Sequence, residues 1–313
     1  MPYNLREVQT YKVFTMQRRT FLKTSGLTLG ALIFLNHRTL ASFLSDPAYK
    51  IKMLTDNIGI FTERGGTILF MLGENGTVVV DAQFPDTAQH CIDEIKTRTD
   101  KPFDILINTH HHGDHTAGNI AFKGLVTHVL SHENSRINQQ NVAAKNKNED
   151  KQLFPDQTYS SVWSEQHSKE TISLHWLGRG HTNGDSFVHF KNANIVHAGD
   201  LVFNRRHPFV DKSAGADIGE WIKTLNSGVA MFKEDTVYVC GHAGEGYDTI
   251  LNKKDIVTFR EYLENVLSYT RDCIAKGMTK EDLLKTTEIP GSPEWKGDGI
   301  NRPLEAAWAE LNP

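Results

Sequence analysis

The chain predicts a layered α/β sandwich with helices outside its sheets. Apolar runs of strand length fall into two groups, each group is followed by helical periodicity, and no Pro- or Gly-rich linker or solenoid repeat divides the sequence. The elements are expected in this order. GTILFMLGENGTVVVDA at 66 to 82 reads as two β-rich runs around an Asn-Gly turn at Asn75 and Gly76. Residues 85 to 98 carry the spacing of an amphipathic helix, and FDILIN at 103 to 108 is a buried strand. Helix is expected near 133 to 147, with the polar AAKNKNEDKQ as an exposed loop or helix end. Strands follow at 171 to 177, 186 to 190, 194 to 198 and 236 to 240, with a helix at 217 to 232 before the last. The tail from 253 to 313 reads as mostly helical, broken at Pro290, Gly291 and Pro293.

Residues 1 to 41 are read apart from the rest. MQRRTFLKTSG, from Met16, pairs two arginines and leads into a mildly apolar run from Thr24 to Leu35, too short for the roughly 20 residues that span a bilayer. Arg18, Arg19, Phe21, Leu22 and Lys23 resemble a twin-arginine export signal, with a small-residue cleavage point after Ala41. The resemblance implies the twin-arginine translocation machinery as a partner, a periplasmic location and no stable membrane anchor. Setting that segment aside leaves 28 basic against 37 acidic groups in residues 42 to 313, a net charge of -9. Phosphate backbones bind surplus positive charge, so nucleic acid is not an expected partner. Cys91, Cys240 and Cys273 are odd in number and widely spaced, which fits small buried hydrophobes and no disulfide framework.

The chemistry concentrates in INTHHHGDHTAGN, at 107 to 119. Side chains alternate in an extended segment, so His110 and His112 point one way and His111 the other, and Gly113 is expected to allow a bend that turns Asp114 and His115 toward a second ion. His181 in GRGHTNGD, Asp200 in IVHAGD and His242 in VYVCGH each follow an apolar strand run. Ligands at the carboxyl ends of neighbouring strands converge on one crevice, and Gly180, Gly199 and Gly241 beside them are expected to let the backbone bend. Asp81, ending TVVVDA, is either a carboxylate that fixes a ligand imidazole or a plain strand-end aspartate. His128, His132, His175, His189 and His197 are assigned to packing or surface.

Taken in order, these motifs resemble the metallo-β-lactamase-fold superfamily over residues 55 to 245. That resemblance implies a four-layer αβ/βα sandwich and a metal-dependent hydrolase domain from residue 42 to 313. It implies that His110, His112 and His181 hold one metal, that Asp114, His115 and His242 hold a second, and that Asp200 bridges them. Two Zn2+ per chain are the expected cofactors, with Fe or Mn as alternatives that imidazole and carboxylate also suit. A hydroxide between the ions would be the nucleophile, because metal coordination brings the pKa of water toward about 7. Asp114 is the candidate catalytic residue, orienting that nucleophile and relaying its proton. The site would keep about one net positive charge, which favours an anionic small-molecule substrate.

The expected reaction is cleavage of an ester, thioester, lactone or lactam. Alternatives are a β-lactamase proper, which usually carries Cys or Ser where Asp200 stands, and a mononuclear iron enzyme that oxidises a sulfur compound. His111 departs from the aromatic residue often found between the paired histidines. Substrate contacts are sought in two loops, 149 to 170 with Phe154, Tyr159 and Trp163, and 203 to 212 with Arg205 and Arg206.

Overall fold

A computed structural model describes residues 49–312. The expected export signal at 1 to 41 and its cleavage point at Ala41 lie outside the described residues. The first sheet holds β1 (Lys50–Met53), β2 (Ile58–Thr62), β3 (Ile68–Leu72), β4 (Thr77–Val80), β5 (Phe103–Asn108), β6 (Val126–His132) and β7 (Gln157–Tyr159), side by side in chain order. Neighbours from β1 to β4 are antiparallel, and those from β4 to β7 are parallel. Parallel neighbours need crossovers. These are α1 (Pro85–Arg98), then the single turn α2 (Gly113–Thr116) with a 3-10 segment, then α3 (Glu133–Asn146).

The second sheet holds β8 (Val162–His167), β9 (Glu170–His175), β10 (Phe187–Phe190), β11 (Ile195–Asn204), β12 (Val237–Ala243) and β13 (Ile250–Leu251). Its one parallel pair, β11 with β12, is crossed by α4 (Ile218–Met231). The chain closes with α5 (Lys253–Ala275), α6 (Lys280–Leu283) and α7 (Asn301–Leu311).

Strand alternation decides how the layers stack. Leu69, Met71, Val78, Val80, Ile105 and Ile107 enter the core between the two sheets, where they meet Ile172, Leu174, Val188 and Val239. Their neighbours Ile68, Phe70, Val79 and Leu106 face the other way, onto Ala88, Cys91, Ile92 and Ile95 of α1. The second sheet repeats the pattern, with Val196, Ala198, Tyr238 and Cys240 turned onto Trp221, Leu225, Phe259 and Leu263 of α4 and α5. Helix, sheet, sheet, helix is the αβ/βα sandwich that the family resemblance implies. Strands this apolar on both faces read as near-continuous hydrophobic runs because both faces are covered.

Some local expectations change. Neither Asn75 nor Gly76 takes a positive φ, so the β3–β4 connection is the four-residue Gly73–Gly76 loop, closed by Gly73 N–H to Gly76 O at 3.1 Å, and no two-residue turn. The segment 149 to 170 is no open loop, since it contains β7 and β8. There Tyr159 is buried and its hydroxyl donates to Ser186 Oγ at 2.6 Å, while Trp163 packs against the inter-sheet core. Asp200 and His242 lie inside β11 and β12 and not past them. β11 is ten residues long, and its register against β12 shifts on either side of Gly199. No described helix is long and apolar enough to cross a membrane.

Candidate metal centre

The cluster grows from the carboxyl end of β5. His112 is still extended, at φ -65° and ψ 147°, and α2 begins at the next residue. The helical turn, and not any left-handed freedom of Gly113, swings Asp114 and His115 back: Gly113 has no positive φ, and a Cβ there would meet nothing within 4 Å. Gly199 does need to be glycine. At φ +50°, with Thr109 Oγ1 2.5 Å from where a Cβ would lie, it kinks β11 so that Asp200 faces the first sheet. Gly241 matters through close approach, since a Cβ there would overlap Asp200 Oδ1.

All seven side chains singled out from the sequence meet. One atom each from His110, His112, His181 and Asp200 forms a group within 4.8 Å that can hold an ion, and one each from Asp114, His115 and His242 forms another. Asp200 faces both groups. Its Oδ2 lies 3.5 Å from both His181 Nε2 and His242 Nε2 and 4.0 Å from His110 Nε2, while its Oδ1 lies 3.1 Å from His115 Nε2. Asp114 Oδ2 lies 3.0 Å from His242 Nε2.

Outer hydrogen bonds fix which nitrogen of each ring points inward. His181 Nδ1–H donates to Phe209 O at 2.7 Å, and His112 Nε2–H to Asp211 Oδ2 at 2.8 Å. His115 Nδ1–H donates to Asp81 Oδ2 at 2.8 Å. Thr109 Oγ1–H donates to Asp81 Oδ2, so it accepts from His110 Nδ1 at 3.0 Å. In the neutral rings the remaining nitrogens carry lone pairs. Three of these crowd together, with His112 Nδ1 only 2.8 Å from His181 Nε2 and 3.2 Å from His110 Nε2. Lone pairs at such distances repel unless a cation sits among them, and buried Asp200 Oδ1 has no well-directed donor either. The donor set therefore fits metal ions, and His/Asp ligation suits zinc.

Electrostatics separate the rings. Burial holds His181 at a pKa of about 3 and lowers His110 well below its usual range, so both are unprotonated near neutrality. Burial would likewise lower His115, but the charges of Asp200 and Asp81 outweigh it and raise the ring well above the usual value. Burial would raise Asp114, yet its hydrogen bond with His242 and the charge of His115 bring it down to about 2. Asp185, pushed up to about 7 by burial, accepts from Thr182 N–H and Thr182 Oγ1–H and so braces the turn carrying His181.

Asp81 resolves toward an imidazole-fixing carboxylate: it is fully buried and accepts from Thr109 N–H, Thr109 Oγ1–H and His115 Nδ1–H. Asp211 was invisible in the sequence. It lies 99 residues from His112, its Oδ1 accepts from Ser213 Oγ–H and Ala214 N–H, and its Oδ2 also lies 3.5 Å from His111 Nε2, so His111 turns away from the His110 group to share the carboxylate that orients His112. Cys240 is buried and donates Sγ–H to His242 O, outside both ligand groups.

A cavity of about 440 Å³ opens over the cluster, walled by Asp114, His242, Arg206, His207, Phe209 and Arg302 among others. Phe154, Tyr159 and Trp163 take no part in it. Arg205 is committed elsewhere, paired with Asp255 at 2.8 Å and Glu294 at 3.3 Å. Arg206 is exposed and makes no ion pair among the described residues.

The profile of the metallo-β-lactamase superfamily matches residues 61–242, more than half of the 313 residues. The chain belongs to that superfamily. Among superfamily members, metallo-β-lactamase IND-1 of Chryseobacterium indologenes is 23% identical over 207 residues, 64% of this chain and 82% of that protein. A metallo-β-lactamase from Pontibacter korlensis superposes with a TM-score of 0.59 at 19% identity, covering 69% of this chain and 99% of its own. Metallo-β-lactamase IND-7 superposes at 0.56, also 19% identical, covering 69% and 100%. At such identity the structural neighbours establish the fold. Superfamily membership supports a metal-dependent hydrolase.

Proposed function

We propose that this chain is an exported dinuclear zinc hydrolase that cleaves an anionic ester, thioester, lactone or lactam. One observation carries the reading: seven side chains from the segment after β5, α2, β11, β12 and the turn before β10 converge as two adjacent ligand groups, with Asp200 facing both. His110, His112, His181 and Asp200 would hold one ion and Asp114, His115, His242 and Asp200 the other. Zinc at these positions supplies Lewis acidity and a bound water ionised near neutral pH.

The residues around the ions have separate tasks. Asp114 is one-third exposed and stays ionised, so it serves as an acceptor that orients the attacking water and passes its proton outward. Arg206 and Arg302 line the cavity and supply the positive charge that would seat an anionic group, in a chain whose remainder is acidic. Phe209 exposes an apolar ring at the wall beside them.

Lactams keep a place on the substrate list because the curated relative IND-1 is named a metallo-β-lactamase. Export rests on the twin-arginine resemblance at Arg18 and Arg19. The deciding experiment measures metal content by mass spectrometry and turnover on lactones, thioesters, phosphodiesters and cephalosporins. About two zinc ions per chain with turnover of an acyl substrate is the expected result. One iron with oxygen consumption would replace it with the sulfur-oxidising reading, and zinc-loaded protein that turns over nothing would reduce the chain to a metal-binding module.

A further inference from the structure

Beyond the seven clustered side chains, the cavity wall carries another imidazole, His207. It follows β11 and is 2% exposed. Its Nδ1 lies 2.7 Å from the hydroxyl of Tyr262 on α5, and its Nε2 has no partner among the described residues. We propose that His207 is a catalytic residue that donates Nε2–H to the carbonyl oxygen of an acyl substrate, and that Tyr262 is the positioning residue that sets this tautomer. The proposal rests on the hydrolase reading and adds to it a donor that the metal ligands do not provide.

The tautomer follows from where one proton can go. Tyr262 is fully buried, and the contact with His207 is the one hydrogen bond its hydroxyl makes among the described residues. Burial pushes the phenol up, so it keeps its proton. That proton has a single acceptor in reach, His207 Nδ1. The opposite arrangement, with Nδ1–H donating to Tyr262, would leave a buried hydroxyl hydrogen without a partner. Nδ1 is therefore the acceptor, and the ring proton of the neutral imidazole sits on Nε2. Burial also lowers the His207 pKa, which keeps the ring neutral and fixes it as a donor near neutrality.

The donor is held in place from behind. The Tyr262 ring stacks on Trp295 at 4.5 Å and 14°, and on Phe259 at 6.1 Å and 15°. Such packing holds the Tyr262 hydroxyl on His207 Nδ1, and a donor braced in this way need not reorganise during reaction. Tyr262, Phe259 and Trp295 all lie beyond residue 242, where the superfamily match ends. α5 and the segment carrying Trp295, both beyond the matched region, thus govern a group in a cavity walled mainly by residues of that region.

The first test is independent of metal and substrate. Long-range proton–nitrogen spectra of the 15N-labelled, metal-free protein assign His207 by difference against His207→Gln. The expected state is Nε2-protonated in the wild type, with a shift toward mixed tautomers in Tyr262→Phe. An Nδ1-protonated ring in the wild type, or an unchanged ring in Tyr262→Phe, overturns the proposal. In the zinc-loaded enzyme, His207→Ala is expected to lower kcat about 100-fold at unchanged metal content and nearly unchanged KM, with partial recovery in His207→Gln, which retains an amide donor. Thermal melts confirm that each variant folds, and the Gln variant carries the test if Ala does not. A His207→Ala kcat equal to wild type overturns the catalytic role. Absence of turnover in the wild type overturns the hydrolase reading, and this role with it, while leaving the tautomer result standing.

Discussion

Asp81→Asn tests the outer hydrogen bonds most directly. The fully buried carboxylate accepts three hydrogen bonds of 2.8 Å: Thr109 N–H on Oδ1, and Thr109 Oγ1–H and His115 Nδ1–H on Oδ2. An amide has one acceptor and one donor end. With its oxygen on Thr109 N–H, its NH2 opposes two donors. Relief comes only if His115 moves its proton to Nε2, the atom facing Asp200, Asp114 and His242, and if Thr109 Oγ1 turns to donate to His110 Nδ1 instead. Both changes protonate a nitrogen that otherwise turns its lone pair toward the ligand cluster. With the amide reversed, NH2 meets Thr109 N–H. The backbone tolerates the change, because φ at Asp81 is +64°, a left-handed value that Asn adopts readily.

Losing the charge-assisted bond to His115 costs about 1.5–3 kcal/mol, which at about 1.4 kcal/mol per factor of ten is about 10–100-fold in affinity. Zinc titration in competition with a chromogenic chelator reads the two dissociation constants, and circular dichroism confirms the fold. The ion held by His115 is expected to weaken by that factor and its neighbour by less. Unchanged constants for both ions would refute the argument that Asp81 fixes these tautomers.

Four further outcomes are expected. Gly241→Ala places a methyl onto Asp200 Oδ1 and 2.9 Å from His115 Cε1, so it should displace the carboxylate that faces both ligand groups and lower the metal content; full metal content by mass spectrometry would contradict this. Asp114→Asn should nearly abolish turnover while leaving the melting profile close to wild type, and an unaffected kcat would remove Asp114 from its role. Zinc affinity of the His115 group should fall as pH drops from about 8 to about 6, because the raised pKa of His115 means an entering ion displaces a proton, whereas His181 at about 3 contributes none; a pH-independent constant would argue against it. Replacing Arg18 and Arg19 by Lys should hold the protein in the cytoplasm, and normal periplasmic accumulation on fractionation would dismiss the export signal.

The linear order of residues determined the two-group strand pattern, the layered α/β class and the seven candidate side chains, and the αβ/βα arrangement followed from the family resemblance of their motifs. Strand alternation and the density of histidine after β5 are local properties, legible wherever burial on both faces makes a run apolar. Tertiary structure alone decided what holds those side chains. Asp211 reaches His112 across 99 residues, Thr109 links Asp81 to His110 through a rotatable hydroxyl, and Tyr262 meets His207 from a helix 55 residues onward. It also removed Tyr159 and Trp163 from the cavity and tied Arg205 to Asp255. The physical reason is directional. A hydrogen bond depends on angle and on distances of about 3 Å, and those are set by how layers stack, whereas hydrophobic periodicity depends only on which face a residue takes.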